Sequence, residues 1–391
     1  MLAVYIHIPF CRQRCLYCDF ITYAGKQDFI PAYVRALCTE IKSLGLGVGD
    51  SNQQVETVYF GGGTPSLLEP AEVEACLGSI QVAFGLDSQA EITLETNPGT
   101  IQSEKLKAFR SAGINRLSLG VQSFSDQELC TLGRIHSVED VYKSVRAARS
   151  AGFDNLSLDL IFGIPGQHLA GWQENLRKAC ELEPEHLSLY SLTLEPGTIL
   201  ADRVDRGMLE VPDQDASADM FEMCMEYLTQ KGYDHYEISN WAVDEARESR
   251  HNKTYWKNQP YLGIGAAAHG CACGYRVENV PEIQDYIDKI TAGNKRLPFP
   301  FSQANLNRIR LDEKTTMQET MLLGLRLVRE GVSCSEFEQR FHQDARAVFS
   351  QEITRLVSKK LVEWVNFPDG EHLRLTQQGV MLGNQAFMEF V

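Results

Sequence analysis

The chain has 391 residues, of which 43% are hydrophobic and 23% are charged. This composition is typical of a globular protein with a full core and excludes a disordered or fibrous chain, and the length predicts one large domain with a smaller one. The 37 basic and 52 acidic residues give a formal net charge of −15. Because phosphate backbones bind basic surfaces, this charge argues against nucleic acid as a partner.

Two features of the sequence predict a cytoplasmic protein. No apolar run reaches the roughly 20 residues that a membrane-spanning helix needs. The N-terminal sequence MLAVYIHIPF lacks the basic region and the cleavage site of a signal peptide. The chain has 11 cysteines without the spacing of a disulfide framework, and in a reducing compartment most of them are expected to be buried thiols.

Short apolar runs alternate with amphipathic stretches over residues 1–240. The predicted strands are AVYIHI, VETVYF, AEITLET, RLSLGVQ, NLSLDLIF and HLSLYSLT. The predicted helices between them are FIPAYVRALCTEIKSL, SEKLKAFRSAG, VEDVYKSVRAARSAG and GWQENLRKACEL. Repeated βα units build a parallel sheet, and six of them fall short of the eight that close a barrel. We therefore predict an α/β fold with a partial (βα)6 barrel and a site at the carboxyl ends of its strands.

The pattern changes after residue 240. Residues 241–300 are predicted to form a connecting segment that packs on the barrel. Residues 301–391 contain three helical patterns and a β-hairpin across Asp369-Gly370, which predict a small winged-helix-like α+β domain. Such a domain serves as a lid or docking surface as readily as it reads DNA.

Three cysteines lie within eight residues directly after the first predicted strand, as Cys11, Cys15 and Cys18. Thiolates are the usual ligands of iron–sulfur clusters, and three of them on a [4Fe–4S] cube leave one iron open. Structural zinc normally takes four protein ligands, and no second cysteine pair has suitable spacing. The alternatives to a cluster are an incomplete zinc knuckle or three buried thiols.

The CxxxCxxC motif resembles the signature of the radical S-adenosylmethionine (SAM) superfamily. In that superfamily SAM binds the open iron through its amino and carboxylate groups and is cleaved to a deoxyadenosyl radical. The run Gly61–Pro65 after the second strand is similar to the superfamily motif that holds the amino group of SAM. We expect Gly62, Gly63 and Thr64 to contact SAM, because glycines let a backbone approach a ligand closely. A tight turn is the alternative.

Four polar residues, Glu95, Gln122, Arg134 and Asp159, stand at or just past the ends of successive predicted strands. Such positions face the mouth of a barrel, although each residue alone fits a surface or capping role equally well. Their repetition at equivalent positions favours a ligand site.

The whole set resembles the family of oxygen-independent coproporphyrinogen III oxidases, from Val4 to about Gly270. The resemblance implies SAM contacts for the four polar residues and for Tyr5, which matches a cluster-proximal tyrosine. It also implies that Tyr17 lines a second SAM position.

Two departures separate the chain from the oxidases of that family. Phe20 stands where the oxidases have a fourth cysteine, and only four residues precede Tyr5, where the oxidases have an extension of roughly fifty residues that helps to enclose the porphyrinogen. These features resemble the HemW-type haem-chaperone branch, which is regarded as lacking oxidase activity. The HNxxYW motif of that branch is also present, from His251 to Trp256.

His251 of this motif is our candidate axial ligand for haem, because an imidazole is a natural ligand of haem iron. Tyr255 and Trp256 are expected to stack on the porphyrin, and a structural turn is the alternative for the whole segment. We expect His7 to order the cluster loop and His269 to lie near the adenosine of SAM, so both rank behind His251 as haem ligands.

The resemblance implies a haem-binding radical SAM protein with a [4Fe–4S] cluster, SAM and haem as cofactors. It implies delivery of haem to acceptor haemoproteins, including respiratory enzymes at the inner face of the membrane, and a homodimer. One alternative is a true coproporphyrinogen III oxidase that uses the radical for oxidative decarboxylation. Another is a redox-sensing DNA-binding regulator, for which LVSKKLVEW offers only two adjacent lysines.

Overall fold

The computed structural model describes residues 2–48, 54–211, 213–293 and 296–391. Its strands are β1 (Leu2–Ile8), β2 (Phe10–Cys11), β3 (Tyr23–Ala24), β4 (Val55–Gly62), β5 (Leu86–Thr96), β6 (Arg116–Gln122), β7 (Leu156–Phe162), β8 (His186–Ser191), β9 (Asp234–Glu237), β10 (Asn240–Ala242), β11 (Tyr261–Ile264), β12 (His269–Ala272), β13 (Tyr275–Asn279), β14 (Asn305–Arg310), β15 (Val332–Ser333), β16 (Val362–Phe367) and β17 (Gly370–Leu375).

The α-helices lie between these strands and in the C-terminal part of the chain. They are α1 (Ile30–Val48), α2 (Pro70–Phe84), α3 (Ser103–Ser111), α4 (Asp126–Leu132), α5 (Val138–Ser150), α6 (Leu169–Glu181), α7 (Ile199–Asp205), α8 (Gln214–Gln230), α9 (Arg250–Trp256), α10 (Ile283–Ala292), α11 (Glu313–Gly324), α12 (Cys334–Phe341), α13 (Ala345–Val348), α14 (Ser350–Ser358), α15 (Gln377–Met381) and α16 (Gly383–Phe387). No helix in the described ranges is long and apolar enough to span a membrane.

A twelve-stranded mixed sheet carries the fold, in the order β14-β13-β12-β11-β1-β4-β5-β6-β7-β8-β10-β9. The run from β1 to β8 is parallel at every pairing, which confirms the six predicted βα units. Strand β11 adds to β1 as a further parallel strand that the sequence did not predict. Antiparallel strands extend the sheet beyond β11 on one side and beyond β8 on the other.

The central strands are buried on both faces, as in other parallel sheets. In β7 every residue is buried except Asp159, which is partly exposed to the concave interior. The helices close at the predicted residues: α3 is followed by Gly113 (φ +112°) and α5 by Gly152 (φ +85°), and a glycine in this conformation is a common helix end. One apolar core joins the sheet to its outer helices and includes the fully buried Trp172.

The C-terminal residues form a second, separate apolar core between Met317 and Phe390. A three-stranded sheet, β15-β17-β16, packs with the helices of this part. The predicted β-hairpin is present, with its turn at Pro368 and Asp369, one residue before the predicted position. The domain boundary predicted at residue 300 falls between β13 and β14. These two strands pair with each other in the large sheet, so β14 belongs to that sheet.

Candidate functional site

The three cysteines lie on the loop after β1, at the carboxyl end of the parallel sheet. Cys11 ends β2, which pairs with β3, so the loop closes on itself. Two contacts fix the loop: the N–H of Leu16 donates to the carbonyl of Leu132 over 3.0 Å, and Nε2 of His7 lies 3.1 Å from the carbonyl oxygen of Ile21. The prediction that His7 orders this loop is confirmed.

The thiols of this loop are the ligand type of an iron–sulfur cluster. Burial raises the pKa of the Cys11 and Cys18 thiols, and a bound metal would favour their thiolates. In the part of the chain that the structure describes, no group of three or more His, Cys, Asp or Glu side chains is arranged to hold a metal ion. The cysteine ligands of a [4Fe–4S] cube bind separate iron atoms and need not converge on one point.

Two of the thiols each accept a hydrogen bond from a side chain, and the two donors belong to one network. The hydroxyl of Thr64 lies 3.7 Å from Sγ of Cys11, and Nη1 of Arg134 donates to Sγ of Cys15 over 3.3 Å. Asn97 joins the two donors: its Nδ2 donates to Oγ1 of Thr64 over 2.9 Å, and its Oδ1 accepts from Nη2 of Arg134 over 2.5 Å. Hydrogen bonds to sulfur ligands tune a cluster's potential, so this network suits an iron–sulfur site.

The glycine run packs so closely against the cysteine loop that side chains would not fit there. A Cβ on Gly62, whose φ is +114°, would lie 2.5 Å from the ring of His7. A Cβ on Gly63 would lie 2.7 Å from the carbonyl oxygen of Phe10 and 3.0 Å from Sγ of Cys11. The absence of side chains at Gly62 and Gly63 therefore lets the backbone of this run pack directly against the cysteine loop.

Two carboxyl groups lie deeper in the barrel. Glu95 accepts hydrogen bonds from the Tyr59 hydroxyl over 2.8 Å and from the Gly62 N–H over 3.0 Å, and Asp159 accepts from the Ser118 hydroxyl over 2.8 Å. Burial raises the pKa of both carboxyl groups, that of Glu95 to about 7. Glu95 therefore changes its charge near neutral pH.

Gln122 and Tyr17 complete the lining above these carboxyl groups. Gln122 has a φ of +66° at the end of β6, where the register against β7 shifts. A non-glycine residue in this left-handed region costs about 1–3 kcal/mol, and such residues cluster at functional sites. Tyr17 lies beside Arg134, and burial raises the pKa of its hydroxyl.

One cavity of about 450 Å³ collects these groups at the carboxyl ends of the strands, a volume that suits a small-molecule site. Every predicted site residue except Tyr5 and His251 lines it: Cys11, Cys15, Tyr17, Cys18, Gly62, Gly63, Thr64, Glu95, Gln122, Arg134 and Asp159. Sequence reasoning missed Asn97 and Arg116, which also line it. The position of Asn97 two residues after Glu95, just past the end of β5, was the available signal.

Tyr5 does not line this cavity. Its hydroxyl lies 2.9 Å from Nδ1 of His7, and its ring stacks on that of Tyr59 with centroids 6.2 Å apart. The other side of Tyr5 borders a second cavity, next to the cysteine loop. Within the chain, Tyr5 contacts His7, which contacts the cysteine loop, and its predicted contact with SAM stays a prediction.

His251 is buried in the wall of the barrel, on helix α9 rather than on the turn that was the alternative. Its Nδ1 lies 2.8 Å from Oγ1 of Thr57 and its Nε2 lies 2.7 Å from the hydroxyl of Tyr255. Burial lowers the pKa of the imidazole to about 3. Because both ring nitrogens are engaged, this conformation leaves neither of them for an iron atom.

Two family models match the chain: the radical SAM superfamily over residues 5–179 and the HemN C-terminal domain over residues 311–382. Among solved structures, the coproporphyrinogen III oxidase HemN of Escherichia coli, a radical SAM enzyme, aligns with 100% of this chain and 89% of its own at a TM-score of 0.82. The identity is 23%, so this likeness shows the fold alone. The fold and the cysteine loop define a radical SAM protein with the HemN architecture.

Comparison with curated proteins identifies the family to which the chain belongs. The "Heme chaperone HemW" of Lactococcus lactis is 36% identical over 100% of this chain and 97% of the relative, and that of Bacillus subtilis is 37% identical over 100% and 99%. The protein of that name in Escherichia coli is 40% identical over 69% of this chain and 70% of the relative. The chain belongs to the HemW family of radical SAM proteins. Membership of the superfamily implies a [4Fe–4S] cluster and SAM.

Proposed function

We propose that this protein binds haem and delivers it to acceptor haemoproteins. Its full-length relatives carry the name haem chaperone, which supports the proposal. The observation that carries it is that Asp19 and Phe20 of the cysteine loop line two cavities at once. One cavity holds the polar set described above, and the other, of about 710 Å³, is mostly apolar. A protein that handles both SAM and a porphyrin needs two such places.

In this proposal Cys11, Cys15 and Cys18 hold the cluster with one iron open, and SAM lies in the cavity of about 450 Å³. When bound, the cluster supplies one-electron chemistry and a coordination position. Arg134 and Thr64 donate hydrogen bonds toward the sulfur ligands and hold the loop in place. The remaining SAM contacts come from Tyr17, Gly62, Gly63, Glu95, Gln122 and Asp159.

The rival function is the oxidative decarboxylation of coproporphyrinogen III. The chain has Phe20 at the position of the oxidases' fourth cysteine, with 63% of its surface exposed, so this position offers an apolar contact instead of a thiol. The similarity to the fold of HemN is weak support for the oxidase function, because proteins with one fold can have different functions.

An anaerobic assay separates the two functions. The reconstituted protein receives SAM and a reductant, with coproporphyrinogen III in one vessel and haem followed by an apo-haemoprotein in the other. We expect a stable Soret band that moves to the acceptor, and unchanged coproporphyrinogen. Formation of protoporphyrinogen IX would establish the oxidase instead.

The acceptors we propose are respiratory enzymes, reached by a cytoplasmic homodimer at the inner face of the membrane. Haem-loaded protein is mixed with membrane vesicles that contain a respiratory apo-cytochrome, and with a haem-free non-respiratory globin as the control. Transfer to the globin at the same rate would contradict this choice of acceptor. Mass measurement of the haem-loaded protein in solution tests the dimer.

A further inference from the structure

The second cavity lies between the cysteine loop, strands β1 and β11–β13 of the large sheet, and helix α11. It has a volume of about 710 Å³, within the range of sites for ligands of cofactor size. Its lining comes from four parts of the chain: β1, with Tyr5 and His7; the cysteine loop, with Asp19, Phe20 and Ile21; the segment from α9 to β13, with Tyr255, Trp256, Asn258, Gln259, Tyr261, Ala267, His269, Cys271 and Arg276; and α11, with Leu323. We refer to it as the aromatic cleft.

An exposed histidine stands in this cleft with its ring free. His269 begins β12, and its side chain makes no hydrogen bond within the described ranges. The backbone beneath it is tightly held, because a Cβ on Gly263 of the neighbouring strand would lie 1.9 Å from the carbonyl oxygen of His269. His269 therefore combines a fixed backbone with an imidazole that is open to a ligand. It does not line the cavity of about 450 Å³, where we expected it.

The walls of the cleft suit a flat apolar ring. Tyr255 and Tyr261 meet edge to face, with centroids 4.6 Å apart, and Trp256 lies beside them. On the loop side, 63% of Phe20 and 42% of Ile21 are exposed. Large apolar side chains that are exposed together at a concave surface mark a binding site for an apolar ligand.

A cation lies among these aromatic groups. Arg276 donates one hydrogen bond to Glu319, with 2.8 Å between Nη2 and Oε1. A guanidinium has five N–H donors in a planar fork, so others remain for a carboxylate. The cleft therefore suits a flat apolar ligand. The imidazole of His269 could bind a metal at one face of that ligand, and the guanidinium of Arg276 could bind a carboxylate at its edge.

We propose that haem binds in the aromatic cleft, with the imidazole of His269 as an axial ligand of its iron. This inference rests on the proposed haem-chaperone function and names the site. The macrocycle lies between Phe20 of the loop and the ring of Tyr255, and a propionate reaches Arg276. Because Phe20 also lines the SAM cavity, the bound haem touches the loop that carries the cluster.

The test measures haem binding to the full-length protein with its cluster reconstituted. Haem is titrated into the wild type, His269→Gly and the control His168→Ala, which removes an exposed histidine outside the cleft. Loss of an outer partner of a metal ligand alone costs about 10–100-fold in affinity, so we expect His269→Gly to bind haem at least about tenfold more weakly with a shifted Soret band. Added imidazole restores the wild-type band, and His168→Ala matches the wild type.

A second pair of variants tests the apolar wall. Phe20→Glu places a charge against the macrocycle, while Val82→Glu makes the same change at an exposed residue of α2. We expect only Phe20→Glu to weaken haem binding, with cluster absorbance retained in both. If the wild type binds haem and His269→Gly binds it with the same band and affinity, the site is wrong and the function stands. If the wild type binds no haem, the proposed function falls together with the site.

Discussion

The guanidinium of Arg134 donates to the thiol of Cys15 across 119 residues of sequence, with 3.3 Å between Nη1 and Sγ. The same group donates to Oδ1 of Asn97 and to the carbonyl of Gly120. Arg134 thus ties the cysteine loop to the ends of two neighbouring strands. A cation in hydrogen-bond contact with a sulfur ligand stabilises negative charge on that sulfur.

Removal of this contact is expected to make the cluster harder to reduce. A hydrogen bond and a positive charge near sulfur both raise the reduction potential of an iron–sulfur centre. We expect Arg134→Met to lower the midpoint potential, and Arg134→Lys, which keeps the charge but loses the planar fork, to lower it less. Electron paramagnetic resonance during a redox titration measures both. Arg146→Met, at an exposed residue of α5, serves as the control, and an unchanged potential in Arg134→Met would contradict this role.

The cysteine assignment makes a prediction that needs only a visible spectrum. Cys11→Ala, Cys15→Ala and Cys18→Ala are each expected to abolish the cluster absorbance after anaerobic reconstitution, because three thiolates are the minimum set. Cys130→Ala removes an exposed cysteine of α4 and is expected to leave the spectrum unchanged. A complete [4Fe–4S] signal in any of the first three variants would refute the assignment.

The central fold could be predicted because its signal is local. Each central strand is a buried apolar run followed by an amphipathic helix, and this repetition alone implies a parallel sheet. Strand β11 has no such signal: Tyr261–Ile264 is short and is followed by glycines and alanines. It becomes a strand because it pairs with β1, more than 250 residues away in sequence.

The candidate site was predictable where a motif carries the chemistry. The cysteines and glycines stand in short patterns whose residue types are dictated by metal binding and close backbone approach. Asn97 and His269 belong to no such pattern, since their roles depend on which elements meet in space. The reverse holds for His251, whose motif suggested a ligand but whose burial against Thr57 occupies its ring.

The raised pKa of Glu95 predicts a pH-dependent stability. An unfolded glutamate loses its proton near pH 4.3, whereas the folded Glu95 keeps it until about pH 7. Between these values the folded state holds the extra proton, so the free energy of unfolding falls as the pH rises. One pKa unit corresponds to about 1.4 kcal/mol, so the interval from pH 4.3 to about pH 7 makes this contribution roughly 3–4 kcal/mol.

Glu95→Gln isolates that contribution, because it removes the titrating group and leaves Asp159 in place. We expect the stability of the wild type, relative to Glu95→Gln, to be highest at about pH 4, to decline as the pH rises and to level off above about pH 7. Denaturant unfolding of the cluster-free protein at several pH values measures the difference. Parallel curves for the two proteins over this range would show that Glu95 titrates at its ordinary value.

Gly63 offers the sharpest steric test of the site. A Cβ at this position would lie 2.7 Å from the carbonyl oxygen of Phe10 and 3.0 Å from Sγ of Cys11, so Gly63→Ala must displace the cysteine loop. Overpacking of this kind costs about 1–3 kcal/mol, and we expect it to lower cluster occupancy as well as stability. Gly78→Ala is the matched control, since a Cβ there meets nothing within 4 Å and alanine favours the helix by about 0.5–1 kcal/mol. Iron content per chain and the unfolding midpoint report the two effects, and equal values for both variants would remove the glycine run from the site.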